Sequence, residues 1–378
     1  MDIRKTRTWA EVSLSALRHN AHEIQNALPE GCGLLGVVKA GGYGHGAVEV
    51  SAALREAGCR YLAVACPQEA LALREAGETL PILILGAVDA AFASDMVKHN
   101  ITLSVECAEK GHALSERLKP GERLKVHLKL DTGMGRLGFC VKDEANLLAA
   151  AEVAKLPNLE VEGVFTHFSV SDTPGEEAYT EEQLALFLSS VEKLESILGR
   201  RIPIRHCANS GAVLSWRGRG AALDLVRPGI LTYGVYPDEE RGGLDLTPVM
   251  EVKSRVSAIT HHKKGDSISY GRLWTAERDC TLAVLPIGYA DGLLRALSGK
   301  LEVQLRGRRV KQVGRICMDM CMLDVTDMPE VSVGDVATVF GRGTDGGPTV
   351  SELARLADTI PYELLCGVSL RVPRVYIE

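Results

Sequence analysis

An apolar run that ends in lysine, Val37-Val38-Lys39, opens into the glycine-rich turn Ala40-Gly41-Gly42-Tyr43-Gly44-His45-Gly46. An amine held at a strand end suits Schiff-base chemistry once desolvation and cationic neighbours lower its pKa from the ordinary value of about 10.4. A second run, Lys129-Leu130-Asp131-Thr132-Gly133-Met134-Gly135-Arg136-Leu137-Gly138, sets charged residues inside a strand and an arginine in the loop beyond it. Alternation places His127, Lys129 and Asp131 on one face, so an inward-pointing Lys129 needs an anion, which Asp131 could supply. Three further strand ends carry Thr166-His167-Phe168, Cys207-Ala208-Asn209-Ser210-Gly211 and Arg227-Pro228-Gly229-Ile230. Ser210 is expected to cap a short helix whose free N–H groups bind phosphate, and Gly229 permits close backbone approach. Capping and turn formation explain each residue alone, but less well both at one location.

The elements that must position these residues alternate. Strand-like runs at Leu34–Val38, Tyr61–Ala65, Pro81–Leu85, Ile101–Val105, Leu124–Leu130, Val161–His167, Ile204–Ala208 and Leu225–Val226 are separated by amphipathic stretches, including Ala47–Ala57, Gln68–Ala76, Ala87–Lys98, Ala108–Leu118, Glu144–Lys155 and Glu181–Leu198. Eight alternations close a (β/α)8 TIM-type barrel, whose reactive groups lie at the C-terminal ends of the strands and whose phosphate sites favour the last two loops. After Tyr236 the pattern becomes strand-like: Val252–Ile259, Cys280–Pro286, Leu301–Leu305, Arg309–Val313, Met322–Val325 and Val336–Phe340, with only Ser351–Ala357 helical. The expected class is therefore α/β, with a barrel over residues 13–236, a mainly β domain over 237–378, and an N-terminal strand within 1–12 that joins the second domain.

Composition removes several functions. The 378 residues carry 43 basic and 49 acidic side chains, a net charge of -6, with no basic block to track nucleic acid. No apolar run reaches the ~20 residues of a membrane span, and Met1–Trp9 lacks the apolar core of a signal peptide, so the expected location is cytoplasmic. Ten cysteines without a CxxC pair read as reduced core residues. The His19/His22 and His261/His262 pairs lack a third ligand nearby, and no metal is expected.

The sequence resembles the alanine racemases, pyridoxal-phosphate enzymes of fold type III, over nearly its whole length. The resemblance is carried by Val37–Gly46, Lys129–Gly138, Thr166–Phe168, Asn209-Ser210, Val226–Tyr236, Ser269-Tyr270-Gly271, Pro286–Gly292, Gly314–Met320 and Ile360–Gly367. Their order and spacing together are specific where each string alone is not.

That resemblance implies pyridoxal 5′-phosphate as cofactor, bound covalently by Lys39, which also serves as the base on the D face. It implies Tyr270, from the other subunit of a homodimer, as the base on the L face, so that a proton taken from one side is returned on the other. It assigns Tyr43, Asn209, Ser210, Gly229, Ile230 and Tyr362 to the cofactor and its phosphate. Arg227 becomes the partner of the pyridine nitrogen, and His167 the residue between Tyr270 and Arg227. Arg136 and the main chain at Met318 would hold the substrate carboxylate, with Tyr289 and Asp319 at the entrance. Lys129 matches a position often carbamylated in the family.

An arginine at the ring nitrogen donates without protonating it, so the carbanion is stabilised less and side reactions are restrained. The turn after Lys39 departs from the family's usual Ala-Asn-Ala-Tyr, and loss of side chains at Gly41 and Gly42 is expected to loosen it. The activity implied is interconversion of L- and D-alanine, supplying D-alanine for peptidoglycan. The alternatives are a serine or broader-specificity racemase, a fold type III decarboxylase, and a non-catalytic pyridoxal-phosphate-binding protein. Retention of Tyr362 and the lack of a signal peptide favour alanine. Tyr270 and Arg227 speak against a decarboxylase, and the second domain against a lone binding barrel.

Overall fold

The computed structural model describes residues 6–237 and 243–378. Within the predicted N-terminal strand and interdomain segment, Met1–Lys5 and Asp238–Gly242 lie outside the described residues. Eight short parallel strands form a nearly closed barrel in the order Leu225–Val226, Gly33–Val37, Tyr61–Val64, Ile82–Ile84, Ile101–Val105, Leu124–Asp131, Leu159–Phe165 and Ile204–His206. Backbone bonds from Asp224 N to Arg205 O (3.0 Å) and from Arg227 N to Ala208 O (2.9 Å) join its two ends. Strands covered on both faces read as continuous apolar runs, and Gly33–Val37, Tyr61–Val64, Ile82–Ile84 and Ile101–Val105 are buried at every position.

Helices cover the barrel. Glu177–Leu198 buries Leu184, Phe187, Val191 and Leu194 on one stripe and stops at Gly199, whose φ of 67° is left-handed. It begins a turn earlier than its apolar pattern indicates, because Glu177 to Thr180 present little apolar surface. The stretch expected as one helix from Ala87 to Lys98 is a 3-10 turn, Ala90–Phe92, followed by a short helix, Ala93–Lys98.

The second sheet has nine strands in the order Ala258–His262, Cys280–Leu285, Cys321–Asp324, Arg308–Val313, Glu302–Leu305, Val336–Phe340, Met250–Arg255, Thr8–Ser13 and Arg374–Ile377. Thr8–Ser13 runs antiparallel to Met250–Arg255 and parallel to Arg374–Ile377, so the chain's first strand lies between two late ones. Two local expectations change. The single strand read over Val252–Ile259 is two, because the chain changes neighbours at Val256 and Ser257: Val256 N bonds Asp335 O and Ser257 N bonds Val284 O. A second helix, Pro361–Gly367, follows Val350–Leu356; its seven residues bury Leu364 and Leu365, too short a stretch to show helical periodicity. Among the described residues no helix is long and apolar enough to cross a membrane.

Candidate active site

Lys39 follows the strand Gly33–Val37, where Val38 N still bonds Ala63 O at 2.8 Å. The chain then winds left-handed: Ala40, Gly41, Gly42 and Tyr43 have φ of 53°, 64°, 64° and 51°. Bonds from Gly42 N to Val38 O (2.8 Å) and Gly44 N to Ala40 O (2.9 Å) close it. A side chain in this region costs about 1 kcal/mol or more per residue, which glycine avoids. Gly41 and Gly42 therefore adopt the turn without that strain.

The turn carries Tyr43 inward, its ring 4.9 Å from Tyr233 and 6.0 Å from Tyr362. A Cβ built on Gly229 would stand 3.1 Å from Tyr43 Oη and 3.3 Å from Ser210 Oγ, so these three residues bound one small cradle. The helix Ser210–Ser215 starts beside it. Its cap is Asn209, whose Oδ1 accepts from Ala212 N at 3.1 Å, and Ser210, expected as the cap, instead donates its hydroxyl to Pro228 O.

Arg227 is buried behind the cradle. Its Nη1 donates to His206 Nδ1 (2.7 Å) and its Nη2 to Thr166 O (2.7 Å), Cys207 O (3.0 Å) and His167 Nδ1 (3.2 Å). Burial lowers its pKa to about 10, leaving it charged at neutral pH. Burial, followed by the charge of Arg227, holds His167 and His206 well below the ordinary imidazole range, so both are neutral.

Lys129 points inward, 5% exposed, with Nζ 4.9 Å from the Phe165 ring centroid. Asp131 is not its ion-pair partner: its carboxylate accepts from Gly133 N (2.9 Å) and Gly135 N (3.0 Å), shaping the loop that carries Arg136. Burial, then Arg227 and Arg136, lower the Lys129 amine to about 7. Burial first and Arg136 second also lower Lys39.

Most of these groups line one cavity of about 600 Å³. Among the described residues, Lys39, Lys129, Arg136 and Arg227 face it against a single carboxylate, Asp172, so it is an anion site with an amine poised for carbonyl chemistry. The cradle at Gly229, the strand-end lysine and the fixed guanidinium donor fit pyridoxal phosphate: an oxyanion group, an aldehyde and a ring nitrogen, respectively.

Not every predicted residue meets there. Ile230 is fully buried in the second core. Tyr270, Tyr289 and Met318 are 71%, 44% and 53% exposed on the β domain, and Asp319 pairs with Arg371 at 2.6 Å. This second group is itself assembled. Tyr289 N and Ala290 N bond the carbonyls of Cys317 and Met318 at 3.0 Å each, and Ser269, beside Tyr270, donates to Arg315 O at 2.8 Å. A Cβ on Gly288 would collide with the Cys317 and Met318 carbonyls, so glycine is required for that approach.

Sequence reading missed several contributors. Phe165 stacks on His206 (4.8 Å, 4°) beneath Arg227, and His206 Nε2 lies 2.9 Å from His127 Nδ1. Cys366, on the helix of Tyr362, and Asp172 also line the cavity. The inward alternation that marked His127 and Lys129 would have found Phe165 and His206 if carried to the neighbouring strands.

A barrel mouth with a strand-end lysine, a glycine cradle and a buried guanidinium, joined to a β domain, defines a barrel enzyme of the pyridoxal-phosphate class. Residues 12–237 match the family described as "Alanine racemase, N-terminal domain", and residues 249–376 match "Alanine racemase, C-terminal domain". The "Alanine racemase" of Desulforamulus reducens is 44% identical over 374 residues, 98% of each chain. Among solved structures, alanine racemase from Clostridium difficile 630 superposes with a TM-score of 0.92 at 39% identity, covering 99% of this chain and 96% of that one. The Bacillus anthracis enzyme with bound L-Ala-P gives 0.90 at 36% identity, covering 98% and 95%. The chain belongs to the alanine racemase family, isomerases that depend on pyridoxal phosphate.

Proposed function

We propose that this chain interconverts L- and D-alanine, using pyridoxal 5′-phosphate and two bases, and supplies D-alanine for peptidoglycan from the cytoplasm. The observation that carries the reading is the convergence of Lys39, the Gly229 cradle and Arg227 on one cation-rich cavity. Residues 13–236 form the cofactor-binding unit and 237–378, with the strand from 1–12, the β unit.

When bound, the cofactor supplies an electron sink that acidifies the α-hydrogen. Lys39 Nζ holds it covalently and then takes or returns the proton on the D face. Its lowered pKa favours the free amine that role needs. Tyr43, Asn209, Ser210, Gly229 and Tyr362, with the main chain at Ile230, hold the phosphate end. Arg227 donates to the ring nitrogen and keeps its proton, with His167 between it and the second base.

The second base is the Tyr270 hydroxyl of a partner subunit. Its exposure, together with that of Met318 and Tyr289, supports a homodimer in which each β domain faces the other chain's barrel mouth. Arg136 and the partner's Met318 main chain orient the carboxylate, with Tyr289 and Asp319 at the entrance. Lys129 is a carbamate, an anion beside Arg136. Chiral chromatography after separate incubations with L-alanine and L-serine tests the reading. D-alanine formed much faster than D-serine supports it, the reverse order favours a serine racemase, and carbon dioxide release favours a decarboxylase.

A further inference from the structure

The left-handed turn puts the lysine next to a backbone that two adjacent glycines leave unusually free. Gly41 has nothing within 4 Å of where a Cβ would stand, so packing does not restrain it. Two side chains from outside the four-residue turn do. From within, His45 Nδ1 lies 3.0 Å from Gly42 O and 2.9 Å from Tyr43 O, and burial depresses this imidazole to about 4, so it is neutral and Nδ1–H donates. From the opposite side comes Glu69, on the helix Pro67–Glu75.

The two oxygens of Glu69 have different jobs. Oε2 accepts from Ala65 N at 2.7 Å, a local bond at the start of Glu69's own helix of the kind an early glutamate commonly makes. Oε1 accepts from Ala40 N at 2.6 Å, across 29 residues of sequence. Ala40 is the residue after Lys39 and the first of the left-handed turn, and Ala65, at the end of the adjacent strand Tyr61–Val64, lines the same cavity as Lys39. One carboxylate thus bridges the lysine's turn to the neighbouring strand end. Helix-start chemistry accounts for the Oε2 bond and leaves the Oε1 bond unexplained.

We propose that Glu69 is a positioning residue for Lys39, its carboxylate fixing the amide beside the lysine to the barrel rim and thereby setting where the amine stands during proton transfer. The proposal deepens the two-base reading and rests on it. A carboxylate is needed because both oxygens accept; an amide has one acceptor, and its NH2 group would oppose an N–H. Aspartate, one methylene shorter, cannot span both donors. The glycine pair raises the demand, because a stiffer turn would hold its own shape.

The test compares the wild-type holoenzyme with Glu69→Gln, Glu69→Asp and, as a control on the same helix, Glu75→Gln. Hydrogen–deuterium exchange of residues 39–46, with and without cofactor, reads the turn directly. Isotope effects with α-deuterated D-alanine and α-deuterated L-alanine read which base is impaired. In Glu69→Gln, exchange at the turn accelerates about tenfold while the barrel strands stay protected, and kcat/KM falls about 10- to 100-fold, the scale of a misplaced reacting group. The isotope effect rises from D-alanine, where Lys39 removes the deuteron, and falls from L-alanine, where it does not; Glu75→Gln changes neither. Unchanged exchange at 39–46 overturns the proposal, as does slowing with an unchanged ratio of the two isotope effects. A wild-type enzyme that does not racemise alanine, while the variant's turn still loosens, overturns the functional reading and upholds the anchoring by Glu69.

Discussion

Arg227 Nη1 stands 2.7 Å from Nδ1 of His206, and since a guanidinium only donates, His206 must be the tautomer protonated at Nε2. That proton points at His127 Nδ1, 2.9 Å away, which in turn places the His127 proton on Nε2, 3.5 Å from Glu162 Oε1. Glu162 is itself bonded by Tyr61 (2.6 Å) and Thr102 (2.8 Å). Burial raises its pKa, but the neighbouring His127 and the bonds from Tyr61 and Thr102 outweigh burial and hold it at about 2. The buried Arg227 guanidinium thus faces a distant carboxylate through two neutral imidazoles of fixed orientation.

Replacing His206 by phenylalanine leaves an Arg227 donor unpaired and breaks the chain to Glu162. The loss expected is about 1–3 kcal/mol, the desolvation penalty of a buried polar group without its partner. Denaturant unfolding of the cofactor-free protein measures it, and an unchanged midpoint and slope would contradict this account of Arg227.

With carbon dioxide excluded, so that Lys129 is the free amine and not the carbamate, it gives a pH signature. Its amine is at about 7 when folded and about 10.4 when unfolded. Below pH 7 it is charged in both states and the burial penalty stands in full. Between those values the unfolded chain holds a proton that the folded one has released, so stability rises with pH, by at most about 1.4 kcal/mol per unit. Lys129→Met should abolish this part of the rise between pH 7 and 10. The same half-neutral amine can add carbon dioxide, so labelled bicarbonate should give a carbamate signal in nuclear magnetic resonance that Lys129→Met lacks. An unmodified Lys129 would leave a bound anion, not Asp131, as the compensating charge.

The turn after Lys39 separates strain from collision. Gly41→Ala has open space but a φ of 64°, and should lower stability by about 1 kcal/mol. Gly44→Ala adds the same strain, at 80°, and drives a Cβ into the carbonyl oxygen of Leu365, on the helix that carries Tyr362. It should be several times more harmful and should weaken cofactor binding, as followed by absorbance titration and thermal unfolding. Equal effects would mean that the Leu365 contact is unimportant.

The barrel was legible because its strands are buried on both faces and its helices on one, which writes two distinct periodicities into residues 33–226. Lys39, Arg227 and Gly229 were legible because strand ends point to the mouth. Glu69 and Glu162 were not: one acts from the first turn of a covering helix and the other from within a strand, each through a partner far away in sequence. The helix Pro361–Gly367 was hidden by its brevity, and the placement of Ser210 by the neighbouring Asn209, which reaches Ala212 N better. Tyr270 does not line the cavity of Lys39 in its own chain, so the family resemblance alone pointed to it.

That last assignment has a genetic test in vitro. Lys39→Ala and Tyr270→Phe should each be inactive in racemisation as homodimers. Unfolding and refolding them together should restore about a quarter of the wild-type activity, because half the dimers are mixed and each contains one intact composite site. No recovery, in a mixture shown to contain mixed dimers, would place both bases in one chain.

The central claim is two bases on opposite faces, and proton exchange by Tyr270→Phe in deuterium oxide tests it most directly. Lys39 remains, so D-alanine should exchange its α-hydrogen and stay D, while L-alanine neither exchanges nor inverts. Racemisation of both enantiomers at the wild-type rate by Tyr270→Phe would contradict the account.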